Sequence, residues 1–187
     1  MSVAARKIKP VTLEEFQAMD FGDRRAELIG GVVVVAQAFP TSRHGRVSAR
    51  LAARLMDAID RAALGCEVEV GTGLDIRLET DFSLGPDLMV RCGGDAETPG
   101  EPVLVAEVLS PSNTAAEMMQ KLRAYQAVET ITDILVLMQD HAYVEHWSRR
   151  PGEPWGAPER LFDAEAVLRV ARLDAAIPLS AVYRTPG

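Results

Sequence analysis

Two periodicities divide the chain. SRHGRVSARLAARLMDAIDRAALG carries Val47, Leu51, Leu55 and Ile59 at four-residue spacing, the apolar stripe of an amphipathic helix that Gly65 would end. VTLEEFQAMD predicts a shorter helix, opened by Thr12 with Glu15 three residues on, the signature of a capping box. Between them, RAELIGGVVVVA sets two apolar runs around Gly30-Gly31, which predicts a hairpin. Short strand patterns follow in CEVEV, LDIRLE and PDLMVR. A Gly/Pro-rich loop, CGGDAETPGEP, leads to the apolar run VLVAEVL. TAAEMMQKLRAYQAV reads as a helix, TDILVLM and AYVEHWSR as strands. Weaker strand signals lie near residues 160–162 and 167–170, before a short helical end at PLSAVY. The order helix, hairpin, helix, strands, helix, strands predicts a mixed α/β or α+β domain built on one central sheet. No repeat, low-complexity tract or long linker interrupts it, so residues 1–187 read as one domain with 1–11 as a flexible N-terminal segment.

Composition narrows the function classes. A length of 187 residues, 48% of them hydrophobic, suits one ordinary core. No apolar run is long enough to span a bilayer, and MSVAARKIKP lacks the apolar centre of a signal peptide, so a cytoplasmic protein without a membrane partner is expected. Cys66 and Cys92 have no metal-type spacing and read as two inert, half-buried thiols in a reducing compartment. The net charge of −7 argues against coating nucleic acid through bulk charge. It leaves open an enzyme that meets nucleic acid through a local basic face and a metal.

The informative anomaly is Glu107. VLVAEVL is a continuous apolar run closed by Ser-Pro-Ser-Asn, the pattern of a strand covered on both faces. An ionised carboxylate inside such a strand is costly unless a cation, metal or donor accompanies it. If PDLMVR and VLVAEVL pair antiparallel about a loop centred near Glu97, Asp87 falls opposite Glu107. Two carboxylates so placed repel unless one is protonated or a divalent cation bridges them. Hard cations such as Mg²⁺ use one or two carboxylates plus water and substrate phosphate. Asp87 alone would read as turn chemistry at a strand entry. In the following helix Glu117, Lys121 and Tyr125 share one face. Lys121 could hold an attacking water or a phosphate oxygen, and Tyr125 could support the site or contact substrate. From spacing alone, a Thr114–Glu117 capping box and a Glu117–Lys121 surface pair are the simpler reading.

Taken together, ELIGG, PDLMV, AEVLSPSN and the Glu117/Lys121/Tyr125 face resemble the Uma family of endonucleases, similar in turn to restriction endonucleases of the PD-(D/E)xK superfamily. The resemblance runs from Leu13 to the end of the chain. It implies a restriction-endonuclease-like α/β fold, a central mixed β-sheet flanked by helices. It implies Mg²⁺- or Mn²⁺-dependent hydrolysis of nucleic acid, DNA in the first instance, with Asp87 and Glu107 binding the metal and Lys121 completing the catalytic set. The superfamily's usual lysine position, two residues past Glu107, is Leu109 here, and Lys121 matches the helix position that supplies it in the Uma pattern. Glu27 matches the hairpin glutamate and, with Glu117 and Tyr125, is a supporting residue. The sequence departs from the pattern at Gly30 and Glu117, where the family usually has aspartate. A homodimer would suit cutting two strands. The alternative is a catalytically inactive nucleic-acid-binding or protein-interaction module of the same fold.

Other residues read more plainly. His44 lies near the start of the long helix, where the family resembled often has a histidine; a role near substrate is the alternative, and a polar first-turn role is the simpler one. His141 and His146 fall on opposite faces of a candidate strand, and Tyr143, Glu145 and Trp147 on one face suit sheet packing. Arg43, Arg46 and Arg50, with Arg54 and Arg61 further along, follow helical spacing. The first three are candidates for nucleic-acid phosphates. A solvated face opposite the apolar stripe explains the same spacing more simply.

Overall fold

Pro102 to Val108 are buried without interruption, so this stretch is the covered strand its apolar run predicts. The computed structural model describes residues 9–36, 39–95, 97–111 and 113–184. In chain order the elements are α1 (Leu13–Gln17), β1 (Ala26–Ile29), β2 (Val32–Val35), α2 (Ser42–Arg61), β3 (Cys66–Val70), β4 (Leu74–Ile76), β5 (Phe82–Leu84), β6 (Leu88–Cys92), β7 (Glu101–Leu109) and α3 (Ala115–Ala127). They continue with β8 (Asp133–Met138), β9 (Tyr143–Ser148), β10 (Glu159–Phe162), β11 (Val167–Val170), β12 (Ala175–Pro178) and α4 (Leu179–Val182). The central sheet has six strands in the order β10-β9-β8-β7-β6-β3. It is mixed: β7 and β8 are parallel, joined by the α3 crossover, and its other neighbours are antiparallel.

Each face of this sheet has its own core. Leu104, Ala106 and Val108 of β7 join Leu135 and Leu137 of β8 on the face covered by α2, β11, β12 and α4. Val105 and Ile134 point the other way, toward α3 and a second sheet. Strand alternation therefore puts Glu107 on the α3 face. The second sheet has four strands, β2-β1-β5-β4. It stands beside the expected central sheet, and the sequence patterns do not separate its strands from the central ones. β5 is only three residues long, too short for a period to show, and it is the strand that joins β4 to β1.

Local chemistry sets the element ends. Both Thr12 and Thr114 form complete capping boxes, with Glu15 and Glu117 respectively. The β1–β2 turn places Gly30 and Gly31 at φ of 59° and 78°, the left-handed pair a type I′ hairpin needs. Helix α2 ends at Arg61, earlier than Gly65, because Ala63 itself takes the left-handed position at φ 50°. Of the N-terminal segment 1–11 read as flexible, residues 1–8 lie outside the described residues. Val11 is tied down, its N–H donating to the Gly31 carbonyl at 2.9 Å.

The cysteines correct the sequence reading. The β3–β6 register sets Cys66 directly opposite Cys92, with Cα atoms 4.0 Å apart, and the two form a disulfide. The sequence alone predicts two half-buried thiols, because a separation of 26 residues carries no pairing signal of its own. No described helix is long and apolar enough to cross a membrane.

Candidate active site

The site forms where the carboxyl end of β7 meets the amino end of β6. Leu88 pairs with Ala106, Met89 with Val105 and Val90 with Leu104. Continuing that register by one step sets Asp87 against Glu107. Further from the site, a bulge shifts the pairing by one residue, so Arg91 faces Pro102. The shift also explains why Val103 and its neighbour Leu104 both join the α2-side core.

Asp87 stands just beyond the ladder. Its Oδ2 accepts the Val108 N–H at 2.8 Å and lies 3.1 Å from His44 Nε2, which donates to it. Helix α2 supplies His44 from its first turn, capped by Thr41, whose hydroxyl accepts the His44 N–H. The Asp87 hydrogen bond raises the pKa of His44. Burial opposes that rise, and the charges of Asp87 and Glu107 add to it.

Glu107 is only 6% exposed. Its Oε1 accepts from Tyr125 Oη at 2.6 Å and from Lys121 Nζ at 3.1 Å. Burial is the largest influence on it and pushes its carboxyl up. The Lys121 ammonium pulls against that, while the charges of Asp87 and Glu27 push the same way as burial. The net direction is upward. Glu107 is therefore a carboxyl pressed by like charges in a dry strand, with one cation beside it.

That cation is shared. Lys121 Nζ also lies 2.8 Å from Glu27 Oε2. Burial works against the ammonium, but Glu107 and Glu27 outweigh it and hold the lysine's pKa above its usual value. Glu27 reaches the site from β1, its Oε1 accepting the Gly85 N–H at 2.7 Å, while Arg25 donates to the Gly85 carbonyl. Gly85 stands two residues before Asp87, so the four-stranded sheet and the β6 entry hold each other in place.

The structure thus gathers Glu27, Asp87, Glu107, Lys121 and Tyr125. It does not bring Glu117 to them. The Glu117 carboxylate turns back to Thr114, accepting its hydroxyl at 2.7 Å and its N–H at 3.2 Å. Lys121 has Glu27 and Glu107 as partners, so the Glu117–Lys121 surface pair is not what this face of α3 forms. Tyr125 is fully buried and braces Glu107 from behind, out of reach of any substrate. His44, for which a polar first-turn role is the simpler sequence reading, meets Asp87 instead, because a histidine in a helix's first turn carries no spacing signal toward a strand 43 residues away. Arg43, Arg46 and Arg50 lie beside the site on α2, apart from these contacts. His141 is exposed, and His146 is buried against Asp133.

Among the described residues neither Oδ1 of Asp87 nor Oε2 of Glu107 accepts a hydrogen bond. Also among them, no three His, Cys, Asp or Glu side chains form a ready metal cage. The donor set falls short of a closed zinc-type site. It fits a hard cation that takes two carboxylates and completes its shell with water and substrate oxygens.

A mixed sheet with helices packed on its faces, a crossover helix carrying a buried lysine and acidic residues at the end of the central strand define a restriction-endonuclease-like fold. Residues 13–175 match Uma2, the family described as "Putative restriction endonuclease", and the chain belongs to that family. Its fold is similar to that of a solved structure, "a putative nuclease belonging to DUF820" from Anabaena variabilis. The TM-score is 0.72 at 16% identity, covering 93% of this chain and 98% of that one. No curated protein matches the sequence.

Proposed function

We propose that the protein is a nuclease that hydrolyses phosphodiester bonds of DNA with Mg²⁺ or Mn²⁺ as its cofactor. One observation carries the reading: Glu27 and Glu107 share a single buried ammonium, Lys121, Asp87 stands beside Glu107, and among the described residues one oxygen each of Asp87 and Glu107 has no donor. Family membership supports the same reaction class.

Asp87 and Glu107 would hold the cation through those open oxygens. When bound, the metal polarises a phosphoryl oxygen and makes hydroxide available near neutral pH. The chain's own residues do the positioning. The Val108 N–H and His44 fix the Asp87 carboxylate by one oxygen, leaving the other free. Tyr125 and Lys121 do the same for Glu107. Lys121 offsets negative charge where an anionic substrate approaches, and Glu27 keeps its ammonium in place.

A second reading has one observation of its own. Lys121 is fully engaged by two carboxylates, which suits a non-catalytic module of the same fold. Incubation of supercoiled plasmid with Mn²⁺ or Mg²⁺ separates the two. The nuclease predicts nicking that falls at least about 10²-fold in Asp87→Asn, a loss in the range of other essential catalytic groups. Mn²⁺ calorimetry provides a readout independent of turnover: heat in the wild type, absent in Asp87→Ala and Glu107→Ala. Equal Mn²⁺ binding by all three proteins would remove the site.

A further inference from the structure

The arginines of α2 fall into two groups. Arg54 pairs with Asp57 at 3.0 Å, and Arg61 donates to the Asp57 carbonyl, so the carboxyl-terminal half of the helix is internally neutralised. Arg43, Arg46 and Arg50, at spacings of three and four, line a cleft of about 340 Å³ with Gln139, His141 and Arg184. Among the described residues, Asp140 is the only carboxylate in that lining, and it is taken up by Arg43 at 2.9 Å. Arg50 donates to the main-chain carbonyls of Val182 and Arg184, which holds the last described residues against the cleft. Among the described residues, Arg46 and Arg184 have no carboxylate partner. A chain of net charge −7 thus keeps unneutralised cations together on one concave surface. Helix stability does not explain them. Cations near a helix amino end oppose its macrodipole, and the first turn of α2 carries no acidic residue to offset them.

The cleft also adjoins the site. Gln139 in its wall donates its N–H to the Leu109 carbonyl, two residues past Glu107, and its side chain accepts the Thr41 hydroxyl at 2.6 Å. Thr41 caps the same helical turn that sends His44 to Asp87. One side of that turn therefore faces the carboxylates and the next faces the arginines.

We infer that this cleft, through Arg46 and Arg184 with Arg43 and Arg50 beside them, binds backbone phosphates of DNA flanking the bond at the carboxylate site. The inference rests on the nuclease reading for its occupant, but it concerns binding and not chemistry. Arginine suits the task because its planar fork meets phosphate oxygens in pairs and stays charged at all working pH. Contacts of this kind position a duplex without reading its sequence.

The test is fluorescence anisotropy with a short labelled DNA duplex of mixed sequence, in EDTA, across a salt titration. Wild type is compared with Arg46→Ala/Arg184→Ala, Arg46→Lys/Arg184→Lys, Arg54→Ala/Arg61→Ala and Asp87→Asn. The first variant should bind about tenfold or more weakly, and its log–log salt dependence should be shallower by about 2, since each lost phosphate contact removes about 0.9 from the slope. The lysine pair should restore most of the slope, and the Arg54/Arg61 pair should match wild type. Asp87→Asn should bind at least as well as wild type while failing to cleave. Unchanged affinity and slope in the Arg46/Arg184 variant, or no duplex binding by the wild type, would overturn the inference. Binding that follows this pattern in a protein that never cleaves would sink the nuclease reading and leave the cleft standing.

Discussion

Two carboxylates are buried on adjacent parallel strands, and they live under different conditions. Glu107 of β7 and Asp133 of β8 are 6% and 5% exposed. Asp133 opens the β7–β8 ladder beside Leu104, and Glu107 stands three pairs further along beside Val136. Asp133 has both oxygens occupied: His146 Nε2 lies 2.8 Å from Oδ1, and the Thr132 hydroxyl donates to Oδ2 at 2.8 Å. Glu107 takes both of its donors on one oxygen and faces two further acids. Equal burial thus serves two ends. Where each oxygen has a donor, the carboxylate ties strands together. Where like charges converge and an oxygen is left open, folding bears a cost that only a ligand relieves, the usual mark of a functional site.

The largest expected effect lies in activity. Asp87→Asn should lower DNA cleavage by about 10³-fold, equivalent to about 4 kcal/mol of barrier, whereas Asp133→Asn should cleave within a few-fold of wild type. Equal losses in an initial-rate assay would mean that the two acids do not differ in kind.

Stability comes next. Lys121→Met leaves Glu27 and Glu107 without their shared cation, and removal of one partner from a buried ion pair costs about 3 kcal/mol. Urea unfolding at neutral pH should show the loss, and a midpoint equal to wild type would place Lys121 outside the network. His146→Leu should cost less, about 2 kcal/mol, because Thr132 still donates to Asp133. An unchanged melting temperature in that variant would show that the Asp133–His146 contact does not stabilise the fold.

The smallest effect has the opposite sign. In the metal-free protein Glu107→Gln should raise stability by about 1 kcal/mol, the usual yield of relieving a functional compromise. Lys121 keeps Glu27, and Tyr125 keeps an oxygen to donate to. The pH dependence follows from linkage. The folded-state pKa of Glu107 is raised, so its favourable contribution is fully present below its ordinary value of 4.5 and is lost as pH rises through the folded value. The two proteins should therefore converge in acid and separate toward neutral pH. Added Mn²⁺ should reverse their order, since it stabilises only the protein that binds it. Denaturation curves with and without Mn²⁺ check both statements. A less stable Glu107→Gln protein, with no Mn²⁺ response in wild type, would return Glu107 to a structural role.

The sequence by itself determined whatever a local pattern can encode. The uninterrupted apolar run of β7 requires cover on both faces, which makes its one carboxylate conspicuous. A loop centred near Glu97 points Asp87 toward Glu107, but the bulge completes that register, since the loop-side pairs of Arg91 with Pro102 and Cys92 with Glu101 would otherwise carry Asp87 to Ala106. Four-residue spacing puts Lys121 and Tyr125 on one face of α3, and Thr114 with Glu117 spells a capping box. Only the tertiary structure decided which partners those side chains take. Glu117 serves its own helix end because a capping carboxylate finds donors at once, without crossing to another element. Lys121 goes to Glu107 and Glu27 because α3 packs on the central-sheet face where Glu107 projects, and β1 of the second sheet brings Glu27 alongside. His44 meets Asp87, Cys66 meets Cys92, and the short β5 completes a second sheet through pairings of long sequence separation. Helical and strand periods report which face of an element is buried. They carry no information about what lies against that face, because the pairing energy is realised only after the whole sheet order is in place.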